Sequence, residues 1–267
     1  MNQGIFFEFN KLSQLHNNSN IFFCKTDYIV EEFNRLSNNQ NTDIILLTGN
    51  SDYAITDDVV KLAPPNISVW YATNAVSNSD LIIPLPLGLE NKLPSIRPNH
   101  GIGYFDRASH KERLLNISNS DRSIPGKLIY ANFNINTNYQ YRSTIKNYCI
   151  NSNHIDWEEP NLTLDNLFNK ILEYKMIVCP AGNGIDTHRL WEVLYSNRVP
   201  ITIKTGNYKI YELYKKLPII ILDNISDLLN YNLILEKYYH IKSQSYDLSL
   251  LNINYWISLI LKSANNE

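Results

Sequence analysis

Residues 175–204 read KMIVCPAGNGIDTHRLWEVLYSNRVPITIK, and this stretch decides the fold. Lys175–Pro180 is a short apolar run, the mark of a buried strand. It passes into Ala181-Gly-Asn-Gly184, where glycines let the backbone come close to a ligand. Apolar positions at helical spacing then predict a helix over Thr187–Tyr195, with Asp186 as its N-cap. The helix stops near Ser196-Asn197, and Val199–Lys204 begins the next strand. Strand, glycine turn, helix, strand is the unit of a parallel α/β sheet.

The same grammar extends in both directions. Downstream, further apolar runs occupy Lys127–Phe133, His154–Trp157 and Pro218–Asp223, with helical spacing over Tyr139–Tyr148, Leu164–Leu172 and Tyr208–Leu213. Upstream, Ile21–Lys25, Asp43–Thr48, Ser68–Thr73 and Leu81–Pro86 form another series, with Ile29, Phe33 and Leu36 at helical spacing after the first. Runs such as Ile44-Ile-Leu-Leu47 and Ile219-Ile-Ile-Leu222 are apolar on both alternating faces, which suits strands covered on both sides. Residues 91–126, rich in Pro, Gly, Ser, Asn and charge, read as a linker with one helix near His110–Leu115. The expectation is an α/β chain of two Rossmann-like parallel-sheet domains facing a ligand cleft. They span residues 1–105 and 106–245, and a terminal helix occupies 246–267. Such sheets bind ligands beyond the carboxyl ends of their strands.

Composition narrows the classes. Hydrophobic residues make up 44% and charged residues 19% of the chain, enough for a sizeable core and too apolar for disorder. A formal net charge of −2 argues against general nucleic-acid binding. Cys24, Cys149 and Cys179 form no CxxC pair, so neither a zinc site nor a disulfide framework is expected. The chain has no basic-then-apolar leader and no apolar run of about 20 residues, so a cytoplasmic location without a transmembrane segment is expected.

Within the opening stretch, Arg189 and Glu192 stand three apart and share one side of the helix. A guanidinium at a helix amino end can grip phosphate at two points, where free N–H groups already favour an anion. A carboxylate one turn on can accept ribose hydroxyls. The plainer reading makes Arg189 and Glu192 a surface ion pair and Asp186 a cap alone. His16, His100, His110, His154 and His240 show no metal-ligand spacing. Asp57-Asp58 reads as helix capping.

The run CPAGNGIDTHRLWEVLYSNRVPI, residues 179–201, resembles a signature of exostosin-like and related glycosyltransferases of GT-B architecture. In those enzymes a P-x-G-x-G-x-D-T-H-R-x-W-E-x-L segment lines the donor nucleotide site. The resemblance implies donor contacts from Gly182, Asn183, Gly184, Asp186, Thr187, His188, Arg189 and Glu192. Asn197-Arg198 departs from it, because the family usually has glycine followed by a small or apolar residue. Residues 130–142, YANFNINTNYQYR, resemble the same enzymes' N-F-x-x-x-T-N-x-x-x-R segment and add Asn132, Thr137, Asn138 and Arg142. Arg142 would bring a second cation to the diphosphate. Trp157 follows a short strand where this architecture often holds the nucleobase, so it is either a stacking platform or a core tryptophan.

In the first half, LTGNSDY (47–53), WYATN (70–74) and PLPLGL (84–89) resemble the acceptor-side domain of the same group. An inverting sugar transfer needs a group to take the acceptor hydroxyl's proton. Asp52 is the leading candidate, although such residues after strands commonly just shape the turn. Asn74 and Glu90 are candidates for acceptor contacts. The resemblance implies inverting, metal-independent transfer from a nucleotide-sugar substrate to a glycan or glycolipid hydroxyl, as in polysaccharide biosynthesis. No cofactor, metal or nucleic acid is expected, and peripheral membrane contact is left open. The alternative is a non-catalytic nucleotide- or sugar-binding module of the same fold. A dehydrogenase or methyltransferase is disfavoured, since no G-x-G-x-x-G follows the first strand.

Overall fold

The computed structural model describes residues 6–17, 20–91, 103–120 and 124–265, with side chains of 108–116 in the third stretch. His100 and much of the expected linker lie outside the described residues. In chain order the elements are β1 (Ile21–Lys25), α1 (Ile29–Ser37), β2 (Ile44–Gly49), α2 (Asp57–Lys61), β3 (Ile67–Ala72) and β4 (Ile82–Pro84). The connecting helix α3 (Gly103–Ser120) leads to β5 (Lys127–Ala131), α4 (Tyr139–Ile150), β6 (Ile155–Trp157), α5 (Leu164–Glu173) and β7 (Tyr174–Val178). Then come α6 (His188–Tyr195), β8 (Val199–Ile203), α7 (Ile210–Tyr214), β9 (Ile220–Leu222), α8 (Tyr231–Ser243) and α9 (Ile253–Ala264). The strands make two parallel sheets, ordered β1-β2-β3-β4 and β6-β5-β7-β8-β9.

Strand alternation sorts the side chains into three cores. In β2, Ile44 and Leu46 join Phe33 and Trp70 on one face, whereas Ile45 and Leu47 turn to the other. In β7, Met176 and Val178 meet Ile145 and Leu228, whereas Ile177, and Cys179 just past the strand, join the same core as Ile45. That middle core also takes Leu115 of α3, Leu167 of α5, Trp191 of α6 and Trp256 of α9. Strands apolar on both faces are therefore covered on both faces. The two halves are held by a common core and not by a linker alone.

The tail helix α9 crosses back to the first sheet. Tyr71 Oη lies 2.8 Å from Ser263 Oγ, Asn20 Nδ2 donates to the Ala264 carbonyl at 3.3 Å, and Trp256 meets Phe7 edge-on. The three cysteines are buried, and burial pushes each thiol up to about 12, so they act as small apolar residues.

Several elements differ from the expectation. The helix expected near His110–Leu115 extends over the whole of α3, and α8 has no counterpart among the expected helices. Both lack a strong apolar stripe, the feature that makes a helix legible. Thr56, not Asp57 or Asp58, caps α2, its Oγ1 accepting the Val59 N–H. Among the described residues no helix is long and apolar enough to cross a membrane.

Candidate functional site

In the second sheet, β6 lies on one side of β5, and β7 to β9 follow on the other. Strand order therefore reverses between β5 and β7. Loops leaving the carboxyl ends of those strands diverge, which opens the space where such sheets hold ligands. Residues 132–138 and 179–187, the two stretches singled out by motif, are these loops.

Arg142, at the start of α4, is buried between them. Its Nε donates to the Ala181 carbonyl at 2.8 Å, Nη1 to Asn134 at 2.7 Å and Nη2 to Pro180 at 3.0 Å. It ties the diverging loops together. Among the described residues no carboxylate pairs with it; burial, and then neighbouring Arg189, push its pKa down to about 10. A Cβ at Gly182 would lie 2.9 Å from Arg142 Nη2, so this glycine makes room for a protein guanidinium. Asn138 Nδ2 donates to the Gly182 carbonyl at 3.1 Å, and Thr137 Oγ1 to Asn134 at 3.2 Å. Asn132 is buried, its Nδ2 held by the carbonyls of Glu158 and Glu159.

Arg189 lies in the first turn of α6 and its side chain is 23% exposed. Its Nε pairs with Glu192 Oε2 at 3.1 Å, and Nη1 donates to the Asn132 carbonyl at 2.9 Å. Its Nη2 has no partner among the described residues. Glu192 is buried, and Lys111 of α3 reaches its Oε1 at 2.5 Å and Glu90 Oε2 at 2.9 Å. Burial pushes the Glu192 carboxyl up, but Lys111 and Arg189 outweigh it and hold the pKa at about 2. Glu90, Lys111, Glu192 and Arg189 thus form one ion chain, buried at Lys111 and Glu192. The carboxylates expected to meet a ribose (Glu192) and an acceptor (Glu90) are both held by Lys111. Nothing local in the sequence marks Lys111, whose partners lie far away along the chain.

Other candidates bracket the two halves. Asp186 is buried and accepts from Leu87 N at 2.7 Å, Tyr214 Oη at 2.7 Å, Trp191 Nε1 at 2.8 Å and Thr187 N at 2.8 Å. Burial pushes its pKa up against those bonds. The expected N-cap is corrected, because Thr187 holds that position and makes no side-chain cap bond. Asn74 is buried with φ at +51°; its Nδ2 donates to Ser51 O and its Oδ1 accepts from Asp186 N. A Cβ at Gly184 would lie 2.7 Å from Asn74 Oδ1, so this glycine too admits a protein side chain. Asn74 thus helps to join the two halves. Asp52 is exposed and accepts a bond from the exposed Asn183 at 3.2 Å. His188 Nδ1 lies 2.8 Å from the Gly88 carbonyl, again across the halves.

Trp157, one strand further out, packs edge-on against Phe133 and donates to Glu159, and Lys146 lies 5.1 Å from the ring centroid. It also lines a hollow of about 600 Å³ with Tyr130, Asp156, Glu158 and Tyr174. Among the described residues no group of three or more His, Cys, Asp or Glu could hold a metal ion.

No protein-family model matches the chain, and no curated protein matches it, so the exostosin-like resemblance stands on its quoted motifs alone. Among solved structures, a crystal structure of an α1,3-fucosyltransferase with GDP-fucose aligns over 86% of this chain and 80% of its own. The identity is 12% and the TM-score 0.38, a likeness too distant to argue from.

Proposed function

We propose that the chain is a metal-independent glycosyltransferase that holds the diphosphate of a nucleotide sugar at the β5/β7 switch point and transfers the sugar, with inversion, to a glycan or glycolipid hydroxyl. One observation carries this: Arg142 and Arg189 meet at the loop after β5, Nη1 of each donating to a carbonyl there (Asn134 at 2.7 Å and Asn132 at 2.9 Å), and Arg142 has no carboxylate partner among the described residues. Lys111 bridges Glu90 and Glu192, Arg189 pairs with Glu192, and Arg142 adds a cation that no carboxylate pairs with among the described residues. A buried cation is costly unless hydrogen bonds and an anion offset it. A departing diphosphate supplies that anion, and fixed cations stabilise the charge it develops as the glycosidic bond breaks.

The roles then divide. Arg189 offers its unpartnered Nη2 to phosphate oxygens, and the amino end of α6, capped by no side chain, adds N–H groups beside Thr187. Arg142 shapes the loops and contributes charge from behind them. Asn183, Thr137 and Asn138 line the loops toward the sugar phosphate. The base is given to the hollow beside Trp157.

The test is calorimetric titration of UDP, GDP and dTDP in EDTA. At least one is expected to bind, and Arg189→Ala to weaken it by an order of magnitude or more, since a charge-assisted hydrogen bond contributes about 1.5–3 kcal/mol. Unchanged affinity in a folded variant would remove the centre of the proposal.

A further inference from the structure

We propose that His188, through Nε2, takes the proton from the acceptor hydroxyl, an inference that rests on the proposed transferase function. The starting point is a tautomer. A carbonyl oxygen only accepts hydrogen bonds, so the 2.8 Å contact between His188 Nδ1 and Gly88 O places a proton on Nδ1. In the neutral ring Nε2 then carries the lone pair, and it has no partner among the described residues. The ring nitrogen fit to accept a proton is the one left open.

The carbonyl that orients the ring is itself fixed. Gly88 has φ at +66°, and a Cβ there would come within 2.3 Å of the Phe7 carbonyl. On either side, Leu87 N donates to Asp186 and Leu89 N to Phe7 O at 2.9 Å. The segment is thus pinned at three successive residues, and it holds an imidazole from the opposite half. Histidine catalysts depend on this kind of support, in which the bond at one nitrogen sets the role of the other.

Position agrees with the role. His188 opens α6 immediately before Arg189, the residue assigned to the diphosphate. The charged groups around it are Arg189 and Glu192 on its own helix, Lys111 from α3 and Glu90 beside the 87–89 segment. Asp52, by contrast, is exposed, and its Oδ2 already accepts from Asn183. In the step itself the acceptor oxygen bonds to the anomeric carbon and the carbon–oxygen bond to phosphate breaks. The nucleoside diphosphate leaves with that electron pair, the hydroxyl proton passes to Nε2, and solvent later takes it from the ring.

Two variants separate this role from a structural one. In His188→Asn the amide nitrogen stands near the position of Nδ1 and can keep the bond to Gly88, while Nε2 is gone; His188→Gln loses that mimicry. Both are compared with Asp52→Asn in binding of UDP, GDP and dTDP, and in release of nucleoside diphosphate from a panel of their hexose conjugates supplied with glycan and glycolipid acceptors. Expected for His188→Asn is nucleotide affinity within about threefold of the parent and turnover lower by about 10²–10⁴-fold. The acid limb of the parent's pH profile, where protonated Nε2 can no longer act, should vanish in that variant. Retained turnover in His188→Asn, a larger loss in Asp52→Asn, or lost nucleotide binding in a folded His188→Asn would each overturn the assignment. A parent that binds none of the three nucleotides, or binds but turns over none of the panel, overturns the transferase function itself and the assignment with it.

Discussion

The first sheet runs β1-β2-β3-β4 in strict chain order, whereas the second reverses between β5 and β7. Both are built from the same alternation of strand and helix, and both present polar loops at their carboxyl ends. In the first, polar groups at those ends are largely taken up by protein partners: Trp70 Nε1 donates to Thr48 Oγ1 at 2.8 Å, Asn74 Nδ2 to Ser51 O at 2.8 Å, and Asn74 Oδ1 accepts from Asp186 N, although the buried Thr73 Oγ1 has no partner among the described residues. In the second, the loops diverge around two arginines, one of which keeps an unpartnered nitrogen among the described residues. The difference teaches that strand order, more than the density of glycine and asparagine, decides which end of an α/β half is left with chemistry to do.

The most severe test is at the join. Asp186→Ala leaves Leu87 N, Trp191 Nε1 and Tyr214 Oη without their acceptor, and each orphaned buried donor costs about 1–3 kcal/mol. A loss of about 3 kcal/mol or more in urea unfolding is expected, in one transition, because the middle core touches both sheets. Two separate transitions in the parent would show that the halves stand alone.

Next comes the ion chain that supports the second half. Glu192 has its folded pKa depressed to about 2 from an ordinary 4.5, so unfolding takes up a proton between those values. Its stabilising contribution is complete above about pH 4.5 and is lost as pH falls toward about 2. Urea midpoints for parent and Glu192→Gln should therefore converge on acidification, and parallel curves would mean that Lys111 and Arg189 do not act on this carboxylate. The smallest effect is reserved for the first sheet. Thr48→Val strips the acceptor from Trp70 and should cost about 1–3 kcal/mol of stability. Nucleotide affinity should not move; if it did, the contrast between the two strand ends would fail.

Much of this layout was legible before any coordinates, because it rests on local pattern. Ile44-Ile-Leu-Leu47 predicts a strand buried on both faces, and its side chains do divide between two cores. Asn197, which departs from the exostosin-like pattern, shows why a departure can be harmless. Its φ is +56°, the left-handed conformation asparagine tolerates next best after glycine, and the bonds Asn197 N to Leu194 O and Arg198 N to Val193 O close α6 as a Schellman motif. The site was less legible, since its contacts are made at long range. Gly182 and Gly184 look like ligand-cradling glycines, yet Arg142 and Asn74 fill the space they leave. Lys111 joins carboxylates from both halves and sits in a helix whose weak apolar periodicity hides even its length.

The return of α9 to the first sheet also has a consequence for how the chain is made. Ile45, Leu47 and Tyr71 share a core with Phe9 and Leu12 from before the sheet and with Trp256 and Ile260 from the chain's far end, so one face of the earliest sheet is only partly covered until those late residues have been synthesised. Domains that fold as they emerge from the ribosome generally settle amino-terminal part first. Here the amino-terminal sheet must wait with an apolar face only partly covered while the second half can close around its own outer core. A nascent chain halted before α9 would be the sticky species, and the one in need of a chaperone.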